Sequence, residues 1–415
     1  MVYKEPGLEF AEWYHGLLPR KDINILLSKQ GQFLVRETEI KKGEGLQLVL
    51  SVKWNDKTMH FIIRHVDGKV FIEKRQFTSI HALIRYQSRK ILQSIEAHQF
   101  NYRYHLISKD PITDQSGAML LHAVPRQSWE VRHEQNEFHT SKGGIILQIE
   151  LHELLGEGAM SAVYKGIFRG DESEKQVAIK VRKGRRLDRE TVEQICREAR
   201  IMRRLEHPNV VRLYGIAISK EPIMLLMELL KDGSLDVFLV TKGSKLSIRE
   251  KLYFCLDIAS GLEFLHNNGV IHRDISARNC LVEDMCVKIS DFNLSREIRK
   301  QDEKYKMTRL KQNLPIRWLA PETIKSATYT TKSDVFSYGI LLCEVFTNGA
   351  EPYCGMTVAE VIINVKDGYR IPSPDAMPNR LQALQRNCFA MEASKRWSMA
   401  QIRREIEMIC LQFQE

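Results

Sequence analysis

The sequence predicts an α+β protein with two folded parts, and three observations support this prediction. Between residues 13 and 107, short alternating apolar segments lie between helical patterns at 20–29 and 79–89. Residues 148–412 begin with strand patterns and later become mostly helical. Residues 108–147 lack apolar periodicity and are rich in Gln, Ser, His and Glu, which predicts a partly ordered linker. We therefore expect an antiparallel sheet flanked by two helices, followed by a small strand-rich lobe and a larger helical lobe.

Composition narrows the class of protein. Of 415 residues, 43% are hydrophobic and 27% are charged, which is typical of soluble globular domains. The sequence shows no apolar run of membrane-spanning length, no signal peptide and no lipidation motif, so we expect a cytoplasmic protein without an intrinsic membrane anchor. All eight cysteines lie between Cys196 and Cys410 without a C-x-x-C pair. This pattern disfavours a zinc site or a disulfide framework and favours reduced thiols.

The net charge of +10 raises the alternative of a nucleic-acid or anionic-lipid binder. Residues 1–110 hold 18 Lys/Arg against 12 Asp/Glu, so +6 of this charge lies in about a quarter of the chain. No long basic run with interleaved aromatic residues is present, as a nucleic-acid surface would favour. The charge therefore suggests a localised anion site, and we expect no nucleic-acid partner.

Five segments of the second part carry chemistry in a fixed order. Residues 156–161 read Gly-Glu-Gly-Ala-Met-Ser, and an apolar strand pattern then ends at Lys180. Glu198 follows within a helical stretch. Residues 272–279 read His-Arg-Asp-Ile-Ser-Ala-Arg-Asn, and residues 291–293 read Asp-Phe-Asn. One such residue in isolation is more often a turn or surface residue, but five in this order are a specific signal.

These segments resemble the catalytic core of protein kinases, which implies ATP as a cofactor with Mg²⁺, or alternatively Mn²⁺. The resemblance implies that Asp274 accepts the proton of the substrate hydroxyl and that Asn279 and Asp291 bind the metal. It implies these catalytic residues: Lys180, Glu198, Asp274 and Arg278. It implies these ATP-contacting residues: Gly156, Glu157, Gly158, Val163, Ala178, Lys180, Met227, Glu228, Leu230 and Leu281.

Specificity for tyrosine is implied by two further matches. Asp274 is followed by Ala-Arg-Asn at 277–279, and residues 315–318 read Pro-Ile-Arg-Trp, both as in tyrosine kinases. In the same resemblance Tyr305 is the autophosphorylation site, and Arg273 pairs with its phosphate. An exposed loop tyrosine is the alternative for Tyr305.

Two structural features of the larger lobe also follow from the kinase resemblance. Glu322 and Arg396 are expected to form a buried ion pair. Asp334 is expected to brace the loop that carries the catalytic base.

The amino-terminal part has its own signature. Residues 13–16 read Trp-Tyr-His-Gly, and Arg36 ends the apolar segment Gln-Phe-Leu-Val. These residues resemble a Src-homology-2 (SH2) domain, in which such an arginine binds phosphotyrosine through two parallel hydrogen bonds. Arg20 and His60 are the further phosphotyrosine-binding residues that the resemblance implies. Ile62 stands where some relatives carry a lysine, which predicts a less basic pocket.

An SH2 domain over residues 13–107 and a kinase domain over 148–412, after a terminal segment 1–12, resemble the Fes/Fer branch of non-receptor tyrosine kinases. The amino-terminal membrane-binding region of that branch has no counterpart in this sequence. We expect tyrosine-containing protein substrates and phosphotyrosine-containing partners, with recruitment to the cytoplasmic face of the plasma membrane through phosphorylated receptors.

An alternative reading is a pseudokinase that acts as a phosphotyrosine-binding adaptor. Asn293 replaces a family glycine, Ser161 replaces the third glycine of the loop, and Met160 replaces its aromatic tip. Asn tolerates a positive φ better than other non-glycine residues, so we expect Asn293 to affect loop switching more than chemistry.

Overall fold

The computed structural model of the protein describes residues 5–87, 111–113, 115–136, 145–158, 161–170, 173–183, 188–298, 304–307 and 314–413. Two sheet-containing regions come first and a mostly helical region follows, which confirms the predicted α+β class. Among the described residues, no helix has both the length and the apolar character needed to cross a bilayer.

The first region is a module around one sheet. Its helices are α1 (Arg20–Leu26) and α2 (Ile80–Gln87). Its strands are β1 (Gln32–Glu39), β2 (Leu46–Trp54), β3 (Lys57–Val66), β4 (Lys69–Ile72), β5 (Arg75–Phe77) and β6 (His122–Ala123). They lie in the order β5-β4-β3-β2-β1-β6, and β1 to β5 pair antiparallel. Leu8 packs into the core of this module although it precedes the predicted start at residue 13.

The second region contains another six-stranded sheet and helix α3 (Arg189–Met202). Its strands and an adjoining hairpin are β7 (Glu130–Val131), β8 (Glu134–Asn136), β9 (Ile145–Leu147), β10 (Ile149–Glu157), β11 (Ser161–Arg169), β12 (Glu174–Arg182), β13 (Leu213–Ala217) and β14 (Met224–Glu228). The sheet order is β10-β11-β12-β14-β13-β7, and β8 pairs with β9 separately.

The predicted linker, residues 108–147, is more ordered than expected over its described part. Strand β6 pairs parallel with β1, and β7 pairs parallel with β13, so the segment adds one strand to each sheet. Ile112 and Leu120 are buried in the core of the first module, and Val131 is buried in the core of the second sheet. Each strand has only two residues, too short for a periodicity signal, and the unpaired sheet edges supply the hydrogen bonds that order them.

The first module and most of the second sheet belong to one compact unit. Within this unit, Gly16 of the first module lies against Ile218. The N–H of Leu17 donates to the carbonyl of Ile218 at 3.0 Å. Gly16 has φ +56°, and a Cβ there would lie 2.1 Å from the same carbonyl oxygen. His15 adds contacts to the Glu130 carboxylate at 2.8 Å and to the carbonyl of Val124 at 3.0 Å. Glycine at position 16 is therefore needed for both its conformation and its missing side chain.

We expect Gly16→Ala to lower the free energy of unfolding by about 2–4 kcal/mol, since it adds an overlap to the strain of a positive φ. Gly68→Ala is the matched control, because Gly68 has φ +73° but open space around its Cβ position. The control should cost only about 1 kcal/mol. Urea unfolding of both variants tests this, and equal losses would contradict the close approach at Gly16.

The helical region forms the second compact unit. Its helices are α4 (Leu235–Lys242), α5 (Ile248–Asn267), α6 (Pro321–Ser326), α7 (Thr331–Phe346), α8 (Val358–Lys366), α9 (Asn379–Cys388) and α10 (Met399–Cys410). Its short strands are β15 (Val270–Ile271), β16 (Cys280–Glu283), β17 (Cys286–Ile289), β18 (Arg296–Glu297), β19 (Tyr305–Lys306) and β20 (Thr328–Tyr329). Helix α7 is buried and contacts β15, so it can stabilise the loop that follows β15.

Candidate functional sites

Lys180 and Glu198 form the predicted ion pair. Lys180 lies near the end of β12, Glu198 lies on α3, and the distance from Nζ to Oε1 is 2.7 Å. Gly156, Val163 and Lys180 are direct neighbours across β10, β11 and β12. Ala178 precedes Lys180 by two residues, so it shares the same face of the sheet. The second sheet therefore gathers four of the predicted ATP-contacting residues on one face.

In the glycine segment, Gly156 and Glu157 end β10, and Ser161 begins β11. The N–H of Gly158 donates to the carbonyl of Ser161 at 2.8 Å, and Lys183 donates to the carbonyl of Gly158 at 2.8 Å. Lys183 also forms an ion pair with Glu157. A Cβ at Gly156 would meet no atom of the described residues within 4 Å, so these residues do not require glycine there. Such unused space suits a ligand that approaches the backbone. Met160 lies outside the described residues.

The loop after β15 is held from the interior of the helical region. Asp334, 1% exposed on α7, accepts the N–H groups of His272 and Arg273, each at 2.8 Å. This confirms the predicted brace. Arg273 has φ +74°, a strained conformation that these two hydrogen bonds stabilise. The loop therefore has a fixed backbone before any ligand binds.

Asp274 and its neighbours form the polar part of this loop. Arg278 donates to Oδ1 of Asp274 at 2.6 Å, and the side-chain amide of Asn279 donates to the carbonyl of Asp274 at 2.8 Å. The N–H of Ser290 donates to the carbonyl of Asn279 at 2.8 Å, which ties the loop to the strand that precedes Asp291. Burial raises the pKa of Asp274, the charge of Asp291 raises it further, and the charge of Arg278 opposes both. Asp274 is thus a mostly buried carboxylate, 14% exposed, that forms an ion pair with Arg278.

The side-chain oxygens of Asn279 and Asp291 suit Mg²⁺ only if phosphate oxygens of a nucleotide complete its ligands. In the described ranges, no group of three or more His, Cys, Asp or Glu side chains could hold a metal ion. Asp291 and Asn279 offer two hard oxygen ligands, and Mg²⁺ is usually bound by one or two carboxylates, waters and substrate phosphates. The residues therefore fit a metal that arrives with a nucleotide and do not fit an all-protein metal cage.

Asn293 lies in a 3₁₀ turn, Phe292–Leu294, and its φ is not positive. Its N–H donates to Oδ1 of Asp291 at 3.4 Å. The residue in this stretch with left-handed backbone is Asp291, with φ +56°. The conformation therefore does not require glycine at position 293, and Asn fits without strain.

The segment at 315–318 connects to the base through an arginine. The guanidinium of Arg278 lies 4.3 Å from the ring centroid of Trp318. Trp318 donates its Nε1–H to Glu344 at 2.9 Å, and Glu344 also accepts the N–H of Ala277 at 3.1 Å. Burial raises the pKa of Glu344 to about 7. Glu344 is a positioning residue that sequence reasoning missed, because nothing in its apolar surroundings on α7 indicates a partner 67 residues away.

The remaining predicted ATP-contacting residues lie around the end of β14 and on β16. Met227 and Glu228 end β14, Leu230 is buried, and Leu281 lies in β16. Glu228 also forms an ion pair with Lys288 at 2.5 Å. Its backbone N–H already donates to the carbonyl of Arg212 at 2.9 Å. The N–H of Glu228 is therefore occupied within the protein.

Two other predictions concern the helical region. Arg396 donates to both carboxylate oxygens of Glu322 at 2.8 Å, which confirms the expected ion pair. Tyr305 lies half-buried in β19, and its ring centroid is 4.8 Å from the Arg273 guanidinium and 5.4 Å from that of Arg296. Two cations therefore already lie beside Tyr305, which is more enclosed than an exposed loop tyrosine.

The first module gathers its three predicted anion-binding residues around a cavity of about 150 Å³. Arg36 on β1 is 2% exposed and donates to the carbonyl of Leu18 at 3.1 Å. Arg20 begins α1, and His60 on β3 lies 2.9 Å from the Ser51 hydroxyl. The Nε of Arg36 has no hydrogen-bond partner among the described residues. A buried guanidinium with an unused donor can complete its hydrogen bonding by binding an anion.

The electrostatics of this cavity also favour an anion. Burial and then the charges of Arg20 and Arg189 lower the pKa of Arg36 to about 10, so Arg36 stays protonated at neutral pH. Burial and then the charges of Arg36 and Arg20 lower the pKa of His60 to about 4, so His60 is neutral there. The guanidinium groups of Arg20, Arg36 and Arg189 thus repel one another, and a bound anion would offset this repulsion.

The geometry defines two classes of domain, and comparison with known proteins agrees. The family model for SH2 domains matches residues 13–87, and the model for protein tyrosine and serine/threonine kinases matches residues 149–406. The chain is therefore an SH2 domain followed by a protein kinase domain.

Individual relatives narrow the class further. Human tyrosine-protein kinase Fer is 35% identical over 407 residues, which cover 98% of this chain and 44% of Fer. Fer-related kinase 1 of Caenorhabditis elegans is 34% identical, with 95% of this chain and 93% of the relative covered. The transforming protein Fps of avian sarcoma virus strain PRCII is 34% identical, with 95% and 67% covered. The chain belongs to the Fer/Fps family of SH2-containing tyrosine kinases. It spans less than half the length of the Fer proteins that it matches.

Proposed function

We propose that this chain transfers the γ-phosphate of ATP to tyrosine side chains of proteins and that its SH2 domain binds phosphotyrosine peptides. The observation that carries the first part is the partly buried Asp274 carboxylate, held by Arg278 at 2.6 Å on a loop that Asp334 fixes. The orphaned Nε of buried Arg36 carries the second part. Recruitment to phosphorylated membrane receptors through the SH2 domain is part of the proposal.

In this proposal the residues of the kinase domain bind, orient and accept a proton. Lys180, oriented by Glu198, holds the α- and β-phosphates. Asn279 and Asp291 would hold Mg²⁺, or Mn²⁺ in its place. When bound, ATP would supply the phosphoryl group, and the metal would neutralise the charge of the phosphates. Asp274 accepts the proton of the tyrosine hydroxyl and orients its oxygen.

The direct test is an assay of the purified chain with Mg²⁺-ATP and a peptide that contains a single tyrosine, read by mass spectrometry. We expect phosphate on the tyrosine and none on matched peptides with Phe or Ser at that position. Absence of phosphate on all three peptides, with phosphotyrosine binding retained, would support the adaptor alternative and contradict the enzyme.

Asn293→Gly and Asn293→Ala are expected to leave kcat within about threefold of the unsubstituted chain. The backbone at position 293 is not strained, so glycine relieves nothing and Ala should also be accepted. Steady-state kinetics of the three chains tests this. A rise of tenfold or more with Gly alone would mean that Asn293 impairs the enzyme, as the pseudokinase reading holds.

A further inference from the structure

The phosphotyrosine cavity includes a residue from outside the SH2 domain. The cavity of about 150 Å³ is lined by three guanidinium groups, those of Arg20, Arg36 and Arg189. Arg189 begins α3, and it lies within the segment matched by the kinase family model. The two domains meet here within one compact unit.

The SH2 domain alone supplies little charge to this cavity. His60 is neutral at physiological pH, because its pKa lies near 4. Ile62, next to it on the same face of β3, is apolar and 41% exposed. Among the lining residues, Glu39 is the carboxylate. The net charge of the lining is therefore +2 with Arg189 and +1 without it, against about −2 for a phosphotyrosine phosphate.

Glu39 of the SH2 domain and Arg189 at the start of α3 both line the cavity, and their arrangement leaves the Arg189 guanidinium available to an anion. The Glu39 carboxylate accepts the backbone N–H of Gly43 at 2.8 Å and, more weakly, that of Arg189 at 3.5 Å. It therefore holds the start of α3 by the backbone. In the described part of the chain, no carboxylate lies within ion-pair distance of the Arg189 guanidinium, and its charge acts on Arg36. A larger cavity of about 520 Å³, lined by the same three arginines, continues along α3 and leaves room for peptide.

We propose that Arg189 is a phosphate ligand, so that the kinase domain supplies the third guanidinium of the phosphotyrosine pocket. The Nε of Arg36, which has no partner among the described residues, offers a donor to an anion, and Arg189 lines the same cavity, so it gives that anion a further guanidinium to bind. The proposal rests on phosphotyrosine binding by the SH2 domain. It explains why the cavity functions without a cation at position 62.

The test measures binding by the full chain of a fluorescein-labelled phosphotyrosine peptide, followed by displacement with phenyl phosphate. Phenyl phosphate carries the phosphate and ring alone, so its affinity does not depend on peptide sequence. Arg189→Ala is expected to weaken the binding of both ligands by about three- to tenfold, because Arg189 is an exposed residue and its charged hydrogen bond would be screened by solvent. Arg189→Glu should weaken them by more than tenfold, and Arg189→Lys should keep part of the affinity.

The matched control is Arg249→Ala, since Arg249 is an exposed arginine in the first turn of α5 and does not line the cavity. It should bind both ligands as the unsubstituted chain does. Thermal unfolding of every variant shows whether the fold is kept. If Arg189→Ala and Arg189→Glu match Arg249→Ala while Arg36→Leu loses binding, the inference is overturned and the SH2 function stands. If Arg36→Leu also keeps its affinity, the SH2 function itself fails.

Discussion

Replacement of Asp274 by Asn is expected to lower kcat for tyrosine phosphorylation by about 10²- to 10⁴-fold, the range for loss of a positioned general base. Asn has nearly the same shape and can still accept the hydrogen bond from Arg278, so the loop should keep its structure. The variant loses the ability to accept the proton of the substrate hydroxyl. Steady-state kinetics with a tyrosine peptide measures the loss, and KM for ATP should change little.

The matched control for this prediction is Asp367→Asn, which changes an exposed aspartate after α8 and should leave kcat unchanged. If Asp274→Asn kept kcat within threefold of this control, Asp274 would not be the base.

The pH dependence of the rate, compared between the unsubstituted chain and Asp274→Asn, tests the electrostatics of the proposed base. Burial raises the pKa of Asp274, and the base acts in its deprotonated form. The rate should therefore fall as pH decreases through this raised pKa, at a higher pH than for an ordinary carboxyl group. Arg278 lowers this pKa, so Arg278→Ala should move the acid limb of kcat/KM to still higher pH. An acid limb that stays in place in Asp274→Asn would assign it to another group.

Arg36→Leu is expected to weaken phosphotyrosine binding by on the order of 100-fold or more, as for truncation of a buried charged partner. The guanidinium is 2% exposed, and its Nε has no partner among the described residues, so the ligand supplies the missing acceptor. Fluorescence anisotropy with a labelled phosphotyrosine peptide measures the change.

Stability distinguishes a binding role from a structural one. Burial lowers the pKa of Arg36, which means that the folded protein pays to keep this charge inside. Leucine removes that cost and loses one hydrogen bond to Leu18, so the melting temperature should stay within a few degrees. Arg64→Leu is the control, because Arg64 is an exposed arginine on β3. A large fall in melting temperature with Arg36→Leu would point to a structural arginine.

Local patterns predicted the sheet-and-helix modules well, and their errors have local causes. The helix predicted over residues 20–29 ends at Leu26, because the side chain of Gln32 accepts the N–H groups of Ser28 and Lys29 at 2.8 Å each. Helix α5 begins at Ile248, because Ser247 and Glu250 form a capping box. This capping box is visible in the sequence as the pattern Ser-x-x-Glu.

The loop at residues 272–279 depends on both local and long-range contacts. Asp274 and Arg278 are four residues apart, so their ion pair joins neighbouring parts of the chain. Glu344 lies 67 residues from Ala277, and its role could not be inferred. Its apolar neighbours on α7 give the pattern of an ordinary buried helix, and the partner comes from chain folding alone.

The sequence by itself predicted the order of the domains, the class of chemistry that we propose and the residues that we propose carry it. These depend on short motifs in which neighbouring residues act together, such as residues 272–279 and Arg36 at the end of its strand. The tertiary structure alone decided that Asn293 sits without strain, that the predicted linker adds a strand to each sheet, and that Arg189 lines a cavity with Arg36. The physical reason is distance along the chain. Backbone conformation and packing depend on partners that local sequence does not contain, and 153 residues separate Arg36 from Arg189.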